Sequence, residues 1–123
     1  MRNNPVCWFE IYVQDMPRAK AFYEGVLGVT LEKLPGPDID MWAFGMDEDK
    51  TGAGGALVHM PGVPSGGNST LVYFACEDCA VEEAQVEAFG GRIQRPKMSI
   101  GEYGFITLAV DTEGNMIGLY SQK

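Results

Sequence analysis

The sequence has 123 residues, 46% of them hydrophobic, which suits one domain over residues 1–123 with a buried core. Its formal net charge of −8 argues against nucleic acid or an anionic membrane as a partner, because both attract clustered Lys and Arg, and a neutral or cationic small molecule is the easier ligand. No apolar run approaches the roughly 20 residues of a membrane-spanning helix, and an odd count of three cysteines fits a reducing, cytoplasmic location without disulfides.

The first half of the chain predicts a strand, a helix and three more strands. Hydrophobicity alternates over residues 6–13, which is typical of a strand, and Asp15 follows as a helix N-cap. Apolar residues then recur at helical spacing until Gly28 ends the helix. The later elements of this half are expected to be strands 29–34, 41–46 and 53–60, with turns at 35–38 and 47–50.

The second half repeats this order 63 residues further along the chain. Asp78 and Gly91 take the places of Asp15 and Gly28, and an internal repeat predicts two copies of one structural unit. A linker at 61–68, rich in Gly and Pro, separates the copies. The second copy is expected to contain strand 70–76, helix 79–89, strand 92–95, a loop with Pro96, strand 103–110 and strand 116–121.

Each half is therefore a βαβββ module, the first at about 4–61 and the second at about 69–122. The fold class is α+β, since each module has one helix and four strands. Such modules bury their apolar surfaces most economically when their curved mixed sheets lie side by side around a cavity, with the helices outside. We expect this cavity to be where a ligand binds.

Two motifs carry a resemblance to a known family. The first half contains Phe-x-x-x-Val-x-Asp-Met-x-Arg-Ala-x-x-Phe-Tyr-x-x-x-Leu-Gly, and the C-terminal region contains Asp-x-Glu-Gly-Asn-x-Ile-Gly-Leu. The chain resembles the vicinal oxygen chelate superfamily, which includes glyoxalase I, bleomycin and fosfomycin resistance proteins and extradiol dioxygenases. More narrowly, stretches such as Trp8-Phe9-Glu10 look like glyoxalase-related proteins known only as predicted lyase relatives.

The resemblance also indicates where a metal would bind. In metal-using members, four His, Glu or Gln ligands lie near the start of the first strand and in the last strand of each half. Those positions fall here on Trp8, Gly55, Leu71 and Gly118. A divalent ion needs several N, O or S donors, and none of these side chains can supply one. We therefore expect no metal and no other cofactor.

Strand alternation predicts which side chains line the cavity. If Trp8 points inward, Glu10 and Tyr12 point inward with it. Leu71 is itself a ligand-binding candidate. By the same alternation in their strands, Gly55, Leu71 and Gly118 predict the other candidates, which are Leu57, His59, Tyr73 and Tyr120. The expected lining is aromatic, with one carboxylate and one imidazole.

Glu10 is the candidate catalytic residue. A carboxylate desolvated among Trp and Tyr side chains would have a raised pKa, which suits a general acid or base. Alternatively, Glu10 is a structural acid that is bonded to tyrosine hydroxyls or faces solvent, and His59 is a surface residue. Cys76 and Cys79 form a C-x-x-C pattern, but the two acids between them oppose a redox-active thiolate.

These features favour a metal-free, glyoxalase-like protein that binds a small, largely apolar or aromatic organic molecule in the sheet cavity. Binding would serve sequestration or cofactorless acid/base chemistry at Glu10, so the sequence leaves open whether the protein is a lyase-like enzyme. One alternative is a metal-dependent lyase or dioxygenase with a displaced ligand pair, Glu10 and His59. Another is a non-catalytic dimeric interaction module. A homodimer is expected because paired βαβββ sheets in this superfamily often build dimers.

Overall fold

The computed structural model describes residues 4–36, 39–45, 47 and 52–123. The expected turn residues 37–38 and 48–50, and the expected strand end at Met46, lie outside these ranges. Within the described ranges the first half contains β1 (Trp8–Tyr12), α1 (Met16–Leu27), β2 (Glu32–Lys33), β3 (Asp40–Ala43) and β4 (Gly54–His59). The second half contains β5 (Tyr73–Ala75), α2 (Cys79–Val86), β6 (Arg92–Ser99), β7 (Phe105–Val110) and β8 (Met116–Ser121), with 3₁₀ turns at Glu87–Phe89 and Gly101–Tyr103.

Both helices begin at the predicted caps. The Asp15 carboxylate accepts a hydrogen bond from the Arg18 N–H at 3.1 Å, and Asp78 does the same for the Ala80 N–H at 3.0 Å. Gly28 ends α1 with φ of 67°, a left-handed conformation that glycine adopts without a steric cost. The N-cap signals of both halves are thus confirmed, whereas α2 ends at Val86 rather than Phe89, and Gly90 rather than Gly91 takes the left-handed conformation after the 3₁₀ turn.

The described strands form two mixed sheets of four strands each, in the orders β1-β4-β3-β2 and β5-β8-β7-β6. In each sheet the first and last strands of the module pair in parallel, and the other pairs are antiparallel. This arrangement confirms the α+β class and the two βαβββ modules. The two sheets do not close into a barrel.

Strand β6 differs from the prediction, which ended it before Pro96. It continues from Arg92 to Ser99, and its pairing with β7 shifts register between Ile93 and Arg95 and again between Arg95 and Met98. Proline has no N–H to donate, so it is tolerated at bulges and on edge strands, and β6 is the edge of its sheet. The predicted loop at Pro96 is therefore wrong.

One hydrophobic core joins the two modules. Phe9 and Phe44 come from the first module and Phe74 from the second, and their ring centroids lie 5.5 to 5.9 Å apart. The Tyr23 ring from α1 packs edge-on against Phe44 at 5.7 Å. Aromatic pairs at these distances add to the stabilisation that burial provides. The apolar sides of both sheets therefore face one shared interior together with the helices.

A polar turn at residues 111–115 also ties the modules together. The buried Glu113 carboxylate accepts hydrogen bonds from the backbone N–H groups of Gln14 at 2.8 Å and Asp15 at 2.9 Å, and it pairs with Arg18 at 2.7 Å. Burial opposes ionisation, but the hydrogen bonds, chiefly from Arg18, outweigh it and lower the pKa of Glu113 to about 2. Asn115 donates to the Tyr12 carbonyl at 2.9 Å. The C-terminal turn thus holds the junction of β1 and α1.

Candidate ligand-binding site

The side of β1 that faces away from the core carries three predicted site residues in contact. The Trp8 indole N–H donates to Oε2 of Glu10 at 3.2 Å, and the Tyr12 hydroxyl donates to Oε1 of Glu10 at 2.9 Å. Their spacing of two residues places them on one face of the strand, as predicted. We call this group the Trp8–Glu10–Tyr12 triad.

The surroundings of Glu10 differ from the predicted ones. Glu10 is exposed and Trp8 retains 37% of its accessible surface, so the described residues do not desolvate the carboxylate. The hydrogen bond to Glu10 raises the pKa of Tyr12, which keeps that hydroxyl protonated as a donor. The alternative interpretation, a carboxylate bonded to a tyrosine hydroxyl and facing solvent, matches this geometry. The expected desolvation of Glu10 is not found.

A first cavity of about 400 Å³ opens beside the triad, between β1, the linker and the start of β8. Glu10 and Tyr12 line it, whereas Trp8 lies outside its wall. The other lining residues are Phe9, Ile11, Pro64, Ser65, Gly66, Asn68, Thr70, Val72, Asn115, Met116 and Ile117. Among the residues that the structure describes, the wall contains one acidic residue and no Lys or Arg.

A second hollow of about 370 Å³ lies on the open face of the second sheet. Its lining residues are Tyr73, Ala75, Ile100, Ile106 and Tyr120. The Tyr73 ring lies across Gly118, where an added Cβ would come within 2.3 Å of the ring. The Tyr120 hydroxyl donates to the Tyr103 carbonyl, so this polar group is already bonded. The hollow therefore presents mainly apolar atoms.

Leu57 and His59 do not join the triad, so their predicted place in the same lining is wrong. Ile11 pairs with Leu57 and Glu10 with Ala56, and directly opposed residues of neighbouring strands point to the same side of a sheet. Leu57 is fully buried in the core. His59, two residues further along β4, lies on the core side of the sheet as well.

The error comes from the repeat offset. Glu10 and Tyr73 lie 63 residues apart, but their partners Ala56 and Gly118 lie 62 apart. The prediction applied 63 to both strand pairs and therefore chose Gly55 instead of Ala56. A one-residue slip sends every side chain of a strand to the opposite face.

The single predicted cavity is thus divided. Glu10 and Tyr12 line the first cavity, and Tyr73 and Tyr120 line the second hollow. Leu71 is 36% exposed and lines neither, although the residues on both sides of it face the first cavity. Sequence reasoning missed Ile106 in β7 and Ile100, which follows the end of β6 and so lies outside the alternation of any strand. It also missed the linker, whose Gly and Pro content indicated only a turn.

The residues at the superfamily's metal positions do not fit a metal. With the corrected register these positions are Trp8, Ala56, Leu71 and Gly118, and none has a donor that binds a divalent ion. Elsewhere in the described residues no group of three or more His, Cys, Asp or Glu side chains is arranged to hold one.

The C-x-x-C pattern does not form a reactive thiol pair. Burial, with the nearby Glu82 carboxyl, raises the pKa of Cys76 to about 12, so its thiol stays protonated. Cys79 is buried at the start of α2, and all three cysteines are free.

In the described part of the chain, neither helix has the length and apolar character that crossing a membrane requires.

Sequence comparison identifies the family. Residues 6–119 match the Glyoxalase/Bleomycin resistance protein/Dioxygenase superfamily, and the chain belongs to it. No curated protein sequence matches the chain. The observed α+β fold, with two βαβββ modules, agrees with this membership.

Solved structures of similar fold include both enzymes and binding proteins. A V278E mutant of glyoxalase I from Zea mays has a TM-score of 0.76 and 24% identity over 96% of this chain, which spans only 46% of the maize chain. TnmS3, an antibiotic binding protein from Streptomyces sp. CB03234, has a TM-score of 0.70 and 26% identity over 100% of this chain and 99% of its own. A glyoxalase/bleomycin resistance protein from Albidiferax ferrireducens T118 has a TM-score of 0.69 and 20% identity, covering 98% and 100%.

Proposed function

We propose that this protein is a metal-free member of the superfamily that sequesters a small, largely apolar or aromatic organic molecule. The observation that carries the proposal is the apolar hollow on the open face of the second sheet, where two tyrosine rings flank two isoleucines and an alanine. Its volume of about 370 Å³ suits a small organic ligand. The likeness to an antibiotic binding protein of the same length supports this proposal.

Sequestration is favoured over catalysis because, among the described residues that line the hollow, the two tyrosine hydroxyls are the only candidates for a general acid or base. The lining contains no Asp, Glu, His, Cys or Lys, and the Tyr120 hydroxyl already donates to the Tyr103 carbonyl. Glu10 is exposed and lines the other cavity, so it does not reach a ligand in the hollow. Binding without turnover is therefore the simpler function.

Calorimetric titration with neutral aromatic compounds, led by 1-naphthalenemethanol, tests the proposal. Tyr73→Ala and Tyr120→Ala should each weaken binding about tenfold, because each removes an aromatic wall of the hollow. Tyr103→Ala is the matched control, since its side chain is 69% exposed and does not line the hollow. Mass spectrometry should recover the probe unchanged. Equal affinities for all four proteins, or no binding to any, would contradict the proposal.

We also propose that the protein is a homodimer that covers the exposed edges of β1 and β5. These strands are the edges of their sheets, and Trp8 in β1 and Leu71 just before β5 are 37% and 36% exposed. In a dimer with a two-fold axis, β1 of one protomer can lie against β5 of its partner. The symmetry repeats this contact, so each of these apolar side chains is buried in both protomers.

Sedimentation velocity tests the dimer. The wild-type protein should sediment as a dimer at micromolar concentration, and Trp8→Glu should shift it to the monomer because a carboxylate then faces the partner's apolar surface. Phe89→Glu is the control, because Phe89 is similarly exposed, at 40%, but lies after α2 rather than on a sheet edge. A monomeric wild-type protein would contradict the proposal.

A further inference from the structure

The first cavity differs from the apolar hollow because it has a polar group that the fold leaves available. Phe9, Ile11 and Ile117 give the cavity apolar walls, and Glu10 and Tyr12 lie at its edge. A cavity of about 400 Å³ accommodates a small organic molecule. The chemistry of the ligand then depends on which polar atoms of the wall are free to bind it.

Most of the polar side chains in the wall are already hydrogen-bonded within the protein. Asn115 donates to the Tyr12 carbonyl at 2.9 Å and accepts from the Gly66 N–H at 2.6 Å. Asn68 donates to the Thr70 carbonyl at 2.8 Å and accepts from the Met116 N–H at 3.0 Å. These amides hold the linker against β8, so they are poor candidates for ligand recognition. Ser65 likewise donates to the Glu113 carbonyl at 2.7 Å.

Glu10 is different. Each of its carboxylate oxygens accepts one hydrogen bond, from Trp8 or from Tyr12, and an ionised carboxylate has about four acceptor sites. The triad thus orients the carboxylate and leaves acceptor sites open. The ion pairs found among the described residues use Glu113, Asp40 and Asp78, so in this part of the chain no Lys or Arg neutralises Glu10.

We infer that the first cavity binds a protonated amine carried on an apolar body, with Glu10 accepting the ammonium hydrogen bond. A charge-assisted hydrogen bond to a carboxylate is about twice as strong as a neutral one. The Tyr12 ring beside Glu10 adds a cation–π surface, and the wall has no Lys or Arg to repel the cation. The inference goes beyond sequestration in the apolar hollow, because it assigns a second site and its ligand class.

The indole N–H of Trp8 is a local reporter of this site, since it donates directly to Glu10. We would titrate ¹⁵N-labelled protein with 1-naphthylmethylamine and with 1-naphthalenemethanol, which share an apolar body and differ in charge. The Trp8 indole cross-peak, assigned by its loss in Trp8→Phe, should shift with the amine at concentrations about tenfold below those needed with the alcohol. Added salt should weaken the amine response.

Glu10→Gln should reduce the affinity for the amine about tenfold and leave the affinity for the alcohol unchanged. Glu32→Gln is the matched control, because it removes the same charge from β2 at the opposite edge of the sheet. Equal responses of wild-type Trp8 to both probes, or an unchanged amine affinity in Glu10→Gln, would overturn the inference. Neither result would affect the apolar hollow, whose binding is measured separately through Tyr73→Ala, so failure of one site is distinguishable from failure of the other.

Discussion

The open faces of the two sheets are built on the same βαβββ plan but offer different chemistry. Glu10 in β1 and Tyr73 in β5 occupy equivalent positions, opposite Ala56 and Gly118. The first face presents a carboxylate held by two aromatic donors, whereas the second presents tyrosine rings over an apolar hollow. The core sides remain similar, with Ile11 and Phe74 facing the shared interior. A repeat can therefore conserve its core while its open faces diverge.

Two glycines show how strongly the two sides of the sheets differ in their tolerance of an added methyl group. A Cβ at Gly55 would lie 2.3 Å from the Phe9 ring, and a Cβ at Gly118 would lie 2.3 Å from the Tyr73 ring. Phe9 is packed against Phe44 and Phe74 in the core, whereas Tyr73 is 46% exposed. The clash at Gly118 thus has an escape route into solvent, whereas moving the Phe9 ring disturbs its contacts with Phe44 and Phe74.

Gly55→Ala should therefore have the largest effect on stability. The added methyl group must displace the Phe9 ring inside a packed aromatic cluster, and overpacking of this kind costs about 1–3 kcal/mol. We expect a loss near the upper end, about 3 kcal/mol, in urea unfolding. Gly118→Ala is the matched control and should lose less than about 1 kcal/mol, because the Tyr73 ring can swing into solvent. Equal losses would show that the two sides do not differ in packing.

Glu113→Gln should have the next largest effect on stability, because it weakens the contacts that join the second module to the first. The neutral amide loses the charge-assisted hydrogen bonds to Gln14, Asp15 and Arg18, and we expect a loss of about 2 kcal/mol at pH 7. This figure is kept modest because the Arg18 side chain is 51% exposed and solvent screens the pair.

The pH dependence of stability tests this role of the ionised Glu113 carboxylate. Glu113 has a folded-state pKa of about 2, whereas the pKa of Glu in the unfolded chain is ~4.3. The stabilisation by the ionised form is therefore fully present at pH values above the unfolded-state pKa. This stabilisation is lost as the pH falls through about 4 to 2. The stability gap between wild type and Glu113→Gln should accordingly be constant from pH 7 to 5 and shrink in acid. A gap that does not change with pH would contradict the assigned role of the ionised carboxylate.

Local chemistry explains which expectations were confirmed. Asp15 and Asp78 cap their helices through contacts within three residues, and Gly28 ends α1 by its own conformational freedom. Such signals depend on neighbours in the chain, so a sequence displays them directly. Pro96 was misjudged because its tolerance depends on a place at the sheet edge, which no local pattern reveals.

The candidate site was predicted only in part. The grouping of Trp8, Glu10 and Tyr12 follows from the period of one strand, and the structure brings them together. Leu57 and His59 required the register between β1 and β4, which lie far apart in the chain. The exposure of Glu10 could not be predicted either, since it depends on what covers the open face of the first sheet.

The sequence by itself determined the repeat, the starts of both helices, the α+β class and the alternation within each strand, because these follow from interactions among residues close along the chain. Only the tertiary structure decided the register between neighbouring strands and how the lining divides into two cavities. Register is set by contacts such as the Phe9 ring against Gly55, and a slip of one residue reverses every side chain of a strand. For that physical reason the binding chemistry of this chain could be assigned to two separate faces only after the strands had been paired.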